Sequence, residues 1–266
     1  MQNSQTMTPL EVEPTAPDTG ATEFLGLPFQ AMKTRDAARH IALNARGGDG
    51  FWYVVTPNVD HVVRMEREPE LEPLYRSSGL ILNDSRILEL LASWEKMDLP
   101  ASPGADIVQT LFERELEQDE PVVVIGCTAS EITALKARFG LSDVRWHDAP
   151  MGLKNNPDAI RAAADFMADN PARFHFLCVG SPQQEMVAMA AYERGGVSGV
   201  GLCCGASIDF LTGRTRRAPE WMRKYRLEWL HRLTSEPGRM VKRYLVDGPK
   251  IFGIWRRDRK ARKAQD

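Results

Sequence analysis

Three polar stretches stand where apolar runs stop, and each carries residue types that can do chemistry. Asn83-Asp84-Ser85 follows the short run Gly79–Leu82, so the Asp84 carboxylate sits where a buried strand would end. A carboxylate in that place can act as a general base. Asp84 and Ser85 are equally good helix N-caps, and the plainer reading of the stretch is a cap. Thr56-Pro57-Asn58 follows Phe51–Val55. Pro57 stops the strand, and Thr56 and Asn58 offer a hydroxyl and an amide. Here too Asn58 reads first as an N-cap. The third stretch is Gly180-Ser181-Pro182-Gln183-Gln184-Glu185. Pro182 suits a first helical turn, and a helix start there aims N–H groups at an anion such as a diphosphate. Glu185 is also placed to complete a capping box. Gly126 and Gly180 close two β-rich runs and are candidate substrate-binding positions alongside Pro182, Gln184 and Glu185.

Other chemistries are poorly represented. No strand is followed by G-x-G-x-x-G or by a P-loop lysine, so neither a dinucleotide fingerprint nor a Walker site is indicated. His40, His61, His147, His175 and His231 are scattered without a metal-ligand partner at helical spacing. No D-x-D stands in a loop after a strand. The four cysteines (Cys127, Cys178, Cys203 and Cys204) lie in or beside apolar runs and form no C-x-x-C, which reads as free thiols. No metal and no other cofactor is expected.

The elements that must position these residues alternate. Phe24–Phe29, Phe51–Thr56, Gly79–Leu82, Val122–Ile125, Val144–His147, Phe174–Val179 and Val197–Cys203 read as strands. Helical spacing marks Thr34–Asn44, Val59–Ser78 (broken at Pro69), Ser85–Leu91, Ala105–Glu117, Ser130–Phe139, Pro157–Ala168 and Gln184–Glu193. Strands and helices in alternation imply an α/β fold, a Rossmann-like, mainly parallel sheet flanked by helices. Ligands of such sheets bind beyond the carboxyl ends of the strands, where all three stretches lie.

Charge divides the chain. Residues 214–266 hold 17 Lys and Arg against 6 Asp and Glu, a local charge of +11, whereas residues 1–213 hold 17 against 30, or −13. A cationic block meets something anionic, such as phosphates or lipid headgroups. The domains expected are a disordered tail (1–22), an α/β catalytic domain (23–213) and a basic helical appendage (214–266) with helices over Glu220–Thr234 and Gly238–Trp255. The acidic core and the lack of a recognisable DNA- or RNA-binding fold argue against a nucleic-acid partner. With no signal peptide and no spanning apolar run, the expected place is the cytoplasm. The cations and aromatics of residues 214–266 suit an anionic bilayer surface, so a peripheral place on the inner membrane face is expected.

The same stretches resemble the motifs of the WecG/TagA/CpsF glycosyltransferase family (glycosyltransferase family 26). Gly180 to Glu185 resembles its G-x-P-[KR]-Q-E. Arg217-Ala218-Pro219-Glu220-Trp221 resembles RAPxW, and Leu227 to Leu233 resembles LEWLYRL. Glu236-Pro237 with Arg239, Arg243 and Tyr244 resembles EPxRxxxRY. With Thr56-Pro57-Asn58 and Asp84, the motifs run in order from about residue 23 to 252. The resemblance implies an inverting, metal-independent transferase. It would move N-acetylmannosamine, its uronic acid or a glucose-type sugar from a UDP donor to a polyprenyl-diphosphate-linked acceptor. The product would be a cell-surface glycan or exopolysaccharide. Asp84 then matches the family's catalytic base, Thr56 and Asn58 the polar pair beside it, and Gln184 the glutamine near the donor. Arg217, Arg232 and Arg239 are the candidates to hold the leaving diphosphate. Two positions depart from the family pattern: Ser85 stands where Gly is usual, and Gln183 replaces Lys or Arg, removing one phosphate contact. The alternative is a non-catalytic UDP-sugar-binding or scaffold subunit, and homo-oligomers fit either reading.

Overall fold

The computed structural model describes residues 20–45, 50–215 and 247–264, with residues 222 and 238 besides. Its centre is a six-stranded sheet, parallel throughout. The strands are β3 (Phe51–Val55), β4 (Leu80–Ile81), β5 (Val122–Ile125), β6 (Val144–His147), β7 (Phe174–Leu177) and β8 (Gly199–Cys203). Their spatial order is β4-β3-β8-β7-β5-β6. An antiparallel hairpin of β1 (Thr22–Phe24) and β2 (Leu27–Phe29) precedes them. The helices are α1 (Thr34–Asn44), α2 (Val59–Arg67), α3 (Glu72–Arg76), α4 (Arg86–Ser93), α5 (Gly104–Arg114), α6 (Ala129–Phe139), α7 (Pro157–Asp169), α8 (Gln183–Arg194), α9 (Ser207–Thr212) and α10 (Lys250–Arg262).

The inner strands are buried on both faces, which is why β5 reads as an unbroken run of Val and Ile and β7 and β8 are mostly apolar, whereas the edge strand β6, Val-Arg-Trp-His, is half-buried. Alternate residues serve opposite layers. Tyr53, Val55, Val123, Ile125, Leu177 and Cys203 pack under α2, α3, α7 and α8, and Ile251, Ile254 and Trp255 of α10 join that layer. Val54, Val122, Val124, Phe174, Phe176 and Leu202 pack under α1, α5, α6 and α9. The topology reverses between β5 and β7. From β5 the chain runs outward to β6, and from β7 it runs back toward β8. A ligand crevice belongs at that reversal.

Two sequence expectations change. Phe24–Phe29 is not one strand but two, because Leu25 and Gly26 both adopt positive φ (53° and 78°) and fold the segment back on itself. Gln30 then donates its backbone N–H to Ile81 O at 2.9 Å, tying the hairpin to the outer strand of the sheet. The helix expected over Gly238–Trp255 lies partly outside the described residues: Gly238 is helical, 239–246 are not described, and the last described helix starts at Lys250 after a turn at Gly248-Pro249 and continues past Trp255 to Arg262. It rests on the α/β body: Trp255 donates from Nε1 to Glu95 (2.5 Å), and Arg257 pairs with Glu66 (2.5 Å). The expected helix over Glu220–Thr234 lies outside the described residues. So does nearly all of the N-terminal tail, whose last residue, Thr22, opens β1.

Candidate active site

The carboxyl edge of the sheet gathers the predicted stretches into two neighbouring turns. The first joins the ends of β3 and β4. Strand pairing continues past both, with Leu82 N–H donating to Val55 O (3.0 Å) and Asp84 N–H to Pro57 O (3.1 Å). Asp84 therefore lies side by side with Thr56-Pro57-Asn58, although 26 residues separate Asn58 from Asp84 in sequence. Thr56, Asn58 and Asp84 are all half-buried.

Helix capping in this turn falls to residues other than Asp84. The Ser85 hydroxyl accepts from Leu88 N–H at 3.3 Å and caps α4. Asn83, fully buried, shapes the loop: its Oδ1 accepts from Ser85 N–H (2.8 Å), and its Nδ2 donates to Leu99 O (3.2 Å). Its backbone carbonyl accepts from Ser102 N–H at 2.7 Å. Asn83 and Ser102 thus hold Asp84 in place, a supporting role that sequence reasoning missed. The signal was a third polar residue directly after an apolar run. Asn58 does cap α2, accepting from Asp60 N–H while His61 Nδ1 accepts from its own N–H (both 3.0 Å). Gly104, at the start of α5, faces Thr56. A Cβ there would stand 2.7 Å from Thr56 Oγ1, so only glycine leaves the hydroxyl room. A narrow crevice runs from Thr56 past Gly104, Ile107 and Val108 to Leu202 and Cys204.

The second turn is Gly180 to Glu185. The chain leaves β7, takes positive φ at Gly180 (76°) and enters α8 at Gln183, with Pro182 as its N-cap. Glu185 makes no capping box. It is 2 % exposed and lies under the turn, where Gln184 Nε2 donates to its Oε1 at 2.9 Å. Burial pushes its carboxyl pKa up, and hydrogen bonds from Gln184 and Ser181 oppose that only in part. Gln184 Oε1 accepts from Gly205 N–H (2.8 Å), linking this turn to the end of β8. Ser181 Oγ meets Tyr75 Oη (3.2 Å) and accepts from Arg64 Nη1 (3.3 Å), and Arg64 pairs with Asp60 at 2.9 Å. Asp60 follows Asn58 closely in α2, so this chain of bonds couples the two turns.

Gly126 sits at the topological reversal. With φ at 89°, it lies against β7, and a Cβ would stand 2.9 Å from Val179 Cγ1 and 3.2 Å from the Cys178 carbonyl carbon. Three thiols follow here. Cys178 Sγ is 3.5 Å from Cys204 Sγ. Hydrogen bonding to Cys127 and Cys204, together with burial, pushes the Cys178 thiol well up, so it stays protonated. Cys127, Glu131 and Asp209 bring ligand-type atoms within 4.8 Å of one another. A cation is already in place there: Arg214 Nη1 reaches Glu131 Oε2 at 2.8 Å. Burial and the Glu131 carboxylate push Asp209 up to about 6. None of this cluster was singled out from the sequence. Among the histidines, His61 serves the cap of α2, His231 lies outside the described residues, and His175 keeps a buried Nδ1 without a hydrogen-bond partner among the described residues. His175, wholly buried, contacts the carbonyls of Ser198 (2.9 Å) and Ala172 (3.2 Å) through Nε2, and burial lowers its pKa to about 4.

The structure thus gathers Thr56, Asn58 and Asp84 in one turn, Gly180, Pro182, Gln184 and Glu185 in the next, and sets Gly126 against the strand that leads into the latter. Arg217, Arg232 and Arg239 lie outside the described residues. A protein-family model described as the glycosyl transferase WecG/TagA/CpsF family matches residues 22–265.

Proposed function

The chain belongs to the WecG/TagA/CpsF glycosyltransferase family, and from that premise we propose an inverting transfer from a UDP-sugar to a polyprenyl-diphosphate-linked acceptor. The donor sugar would be a hexose or N-acetylhexosamine, and the product a cell-surface glycan or exopolysaccharide. The observation that carries this reading is the pairing of Asp84 with Pro57. It puts a half-buried carboxylate, in a turn capped by its neighbour Ser85, beside Thr56 and Asn58 at the carboxyl edge of the sheet.

In the proposed step an acceptor hydroxyl attacks the anomeric carbon from the face opposite the diphosphate. One C–O bond forms, the bond to the diphosphate oxygen breaks, and the anomeric centre inverts. Asp84 takes the hydroxyl proton, a role that contributes roughly 10²- to 10⁴-fold. Thr56 and Asn58 orient the reacting groups, the Asn58 amide from a side chain whose oxygen already caps α2. UDP leaves with growing negative charge. Backbone N–H groups at the start of α8 and the arginines Arg217, Arg232 and Arg239 would neutralise it. The step draws on no metal ion, so a chelator leaves the rate unchanged.

The same reading places the protein at the inner face of the cytoplasmic membrane, held there by the basic residues of 214–266. Among the described residues no helix is long and apolar enough to cross a membrane.

The test is UDP release with detergent-solubilised polyprenyl-diphosphate-sugar acceptors and a panel of UDP-sugars, wild type against Asp84→Asn. Turnover of one donor, lost in the variant while UDP still binds, supports transfer and the base together. Equal rates would move the base elsewhere. Silence across the panel, with UDP-sugar binding intact, would favour a non-catalytic binding subunit.

A further inference from the structure

Two thiols face each other where β7 and β8 end. The two strands pair in parallel, and their last registered pair is Leu177 with Cys203. The ladder runs one step further, because Cys204 donates its N–H to Leu177 O at 3.2 Å and Cys178 donates its own to Ile125 O at 2.8 Å. Cys178 and Cys204 are therefore neighbours across two strands. Alternation sets both against the layer of Val124, Phe176 and Leu202, and Cys203 in the opposite layer. Their sulfurs stand 3.5 Å apart. Neighbouring strands lie roughly 4.8 Å apart, within the roughly 4.4–6.8 Å between Cα atoms that a disulfide bridges. All four cysteines are free thiols. The pair is also within reach of small molecules. Both residues are half-buried, and Cys204 lines the narrow crevice that starts at Thr56. The next residue, Gly205, donates its N–H to Gln184 Oε1 at 2.8 Å, so Cys204 sits between the crevice and the turn into α8.

We propose that Cys178 and Cys204 are a reversible oxidation site, which a peroxide converts to a disulfide that reshapes the crevice beside Thr56. The Cys204 thiolate attacks one oxygen of hydrogen peroxide and the O–O bond breaks, leaving a sulfenic acid and one water. The Cys178 sulfur then attacks the oxidised sulfur. The S–S bond forms, the S–O bond breaks, and the Cys178 proton leaves with the hydroxyl as a second water. The two thiols lose two electrons in all, and the peroxide gains them. A reducing dithiol returns the electrons by exchange through a mixed disulfide. Placement sets the order of events. Cys204 faces the crevice by which the oxidant enters. Hydrogen bonding to Cys127 and Cys204, with burial, keeps the Cys178 thiol protonated, which suits it to the second step. A protonated thiol is a weak nucleophile, and the 3.5 Å approach of the two sulfurs offsets that. Cys203 faces the other layer and reaches neither partner. Bonding draws Cys204 toward β7 and pulls on the Gly205 link that holds Gln184. The effect on turnover rests on the proposed transfer, but the oxidation site itself does not.

The experiment treats full-length protein with hydrogen peroxide, alkylates the remaining thiols under denaturing conditions and maps the peptides without reduction. Wild type should lose two of its four alkylatable thiols. It should yield one linked peptide pair carrying Cys178 and Cys204, and dithiothreitol should restore both thiols. Cys127→Ala should still form the bond, and Cys178→Ser should not. UDP release by oxidised wild type should fall about tenfold and return on reduction, since small displacements beside a reacting centre cost that much or more. Cys178→Ser should start at the wild-type rate and resist the same treatment. The proposal is overturned if all four thiols stay alkylatable, if the linked pair contains Cys127 or Cys203, or if the link joins two chains. It is equally overturned if dithiothreitol fails to restore the thiols, or if peroxide slows Cys178→Ser as much as wild type. Absence of turnover before any oxidation would count against the proposed transfer alone, and the linked peptide would still decide the oxidation site.

Discussion

Two turns leave the same edge of one sheet, and they treat a carboxylate in opposite ways. In the turn after β4, Asp84 is half-buried, its backbone is bonded to Pro57, and Ser85 does the capping. In the turn after β7, Glu185 is 2 % exposed and bonded by Gln184, next to Ser181, Tyr75 and Arg64. The first arrangement holds a half-buried carboxylate beside Thr56, which lines a narrow crevice. The second bonds Glu185 Oε1, Gln184, Ser181, Tyr75 and Arg64 among themselves and leaves only Oε2 of the Glu185 carboxylate without a hydrogen bond, fixing the entry to α8 and, through Arg64 and Asp60, the start of α2. The difference teaches that a carboxylate beyond a strand end is not a catalytic signal by itself. What separates the two is whether neighbouring side chains take over the structural work.

The most severe way to break the comparison is Asp84→Asn. It should lower kcat about 10³-fold, equivalent to about 4 kcal/mol of barrier, while leaving the thermal midpoint nearly unchanged. Steady-state UDP release and a melting curve on the same preparation check both halves. An active or an unfolding variant would make the turn a scaffold like its neighbour.

Glu185→Ala should do the reverse. It strands the Gln184 amide without an acceptor in a buried place and opens a small cavity, costing about 2–3 kcal/mol of stability by denaturant unfolding. Its effect on turnover should be the smaller one at temperatures where the variant is folded. Glu185→Gln keeps the shape and sharpens the point through pH. Burial raises the Glu185 pKa on folding. Its contribution to stability is therefore full below the ordinary carboxylate range and is lost as pH rises through the raised value. The glutamine variant should flatten that decline, gaining on wild type toward alkaline pH and not at acid pH. Parallel pH–stability curves for the two proteins would show that Glu185 ionises freely, as an exposed carboxylate does.

Much of this contrast could be read in the sequence, and some of it could not. The strands Val122–Ile125 and Val144–His147 match their observed bounds: the first is an unbroken β-branched run, and the second, Val-Arg-Trp-His, alternates apolar and polar residues as a half-buried edge strand does. Thr56-Pro57-Asn58 and Asn83-Asp84-Ser85 were visible as polar stops after apolar runs. Which of Asp84 and Ser85 caps α4 was not, since both residue types suit an N-cap and only the fold decides. The hairpin within Phe24–Phe29 was hidden because its turn is Leu25-Gly26, without the Asn or Asp that usually announces such a reversal. Helix α9 was hidden by its length, six residues after a Cys-Cys-Gly loop. The Glu131, Asp209 and Arg214 cluster joins positions up to 83 residues apart, and nothing in local spacing points to such an encounter.

The smallest effect separates the residues inside the first turn. Ser85→Ala removes the hydroxyl that accepts from Leu88 N–H, leaving one N–H of the first turn of α4 to water. The loss should be about 1 kcal/mol of stability. Turnover should hold, because Asp84 is fixed from its other side by the Pro57 carbonyl and by Asn83, whose carbonyl takes the Ser102 N–H. Ser85→Ala and Asp84→Asn would then divide stability and activity between adjacent residues, the division proposed between the two turns. If Ser85→Ala instead lowers kcat as strongly as Asp84→Asn at equal folded fraction, capping and chemistry are one function here. The first turn would then differ from the second only in its exposure.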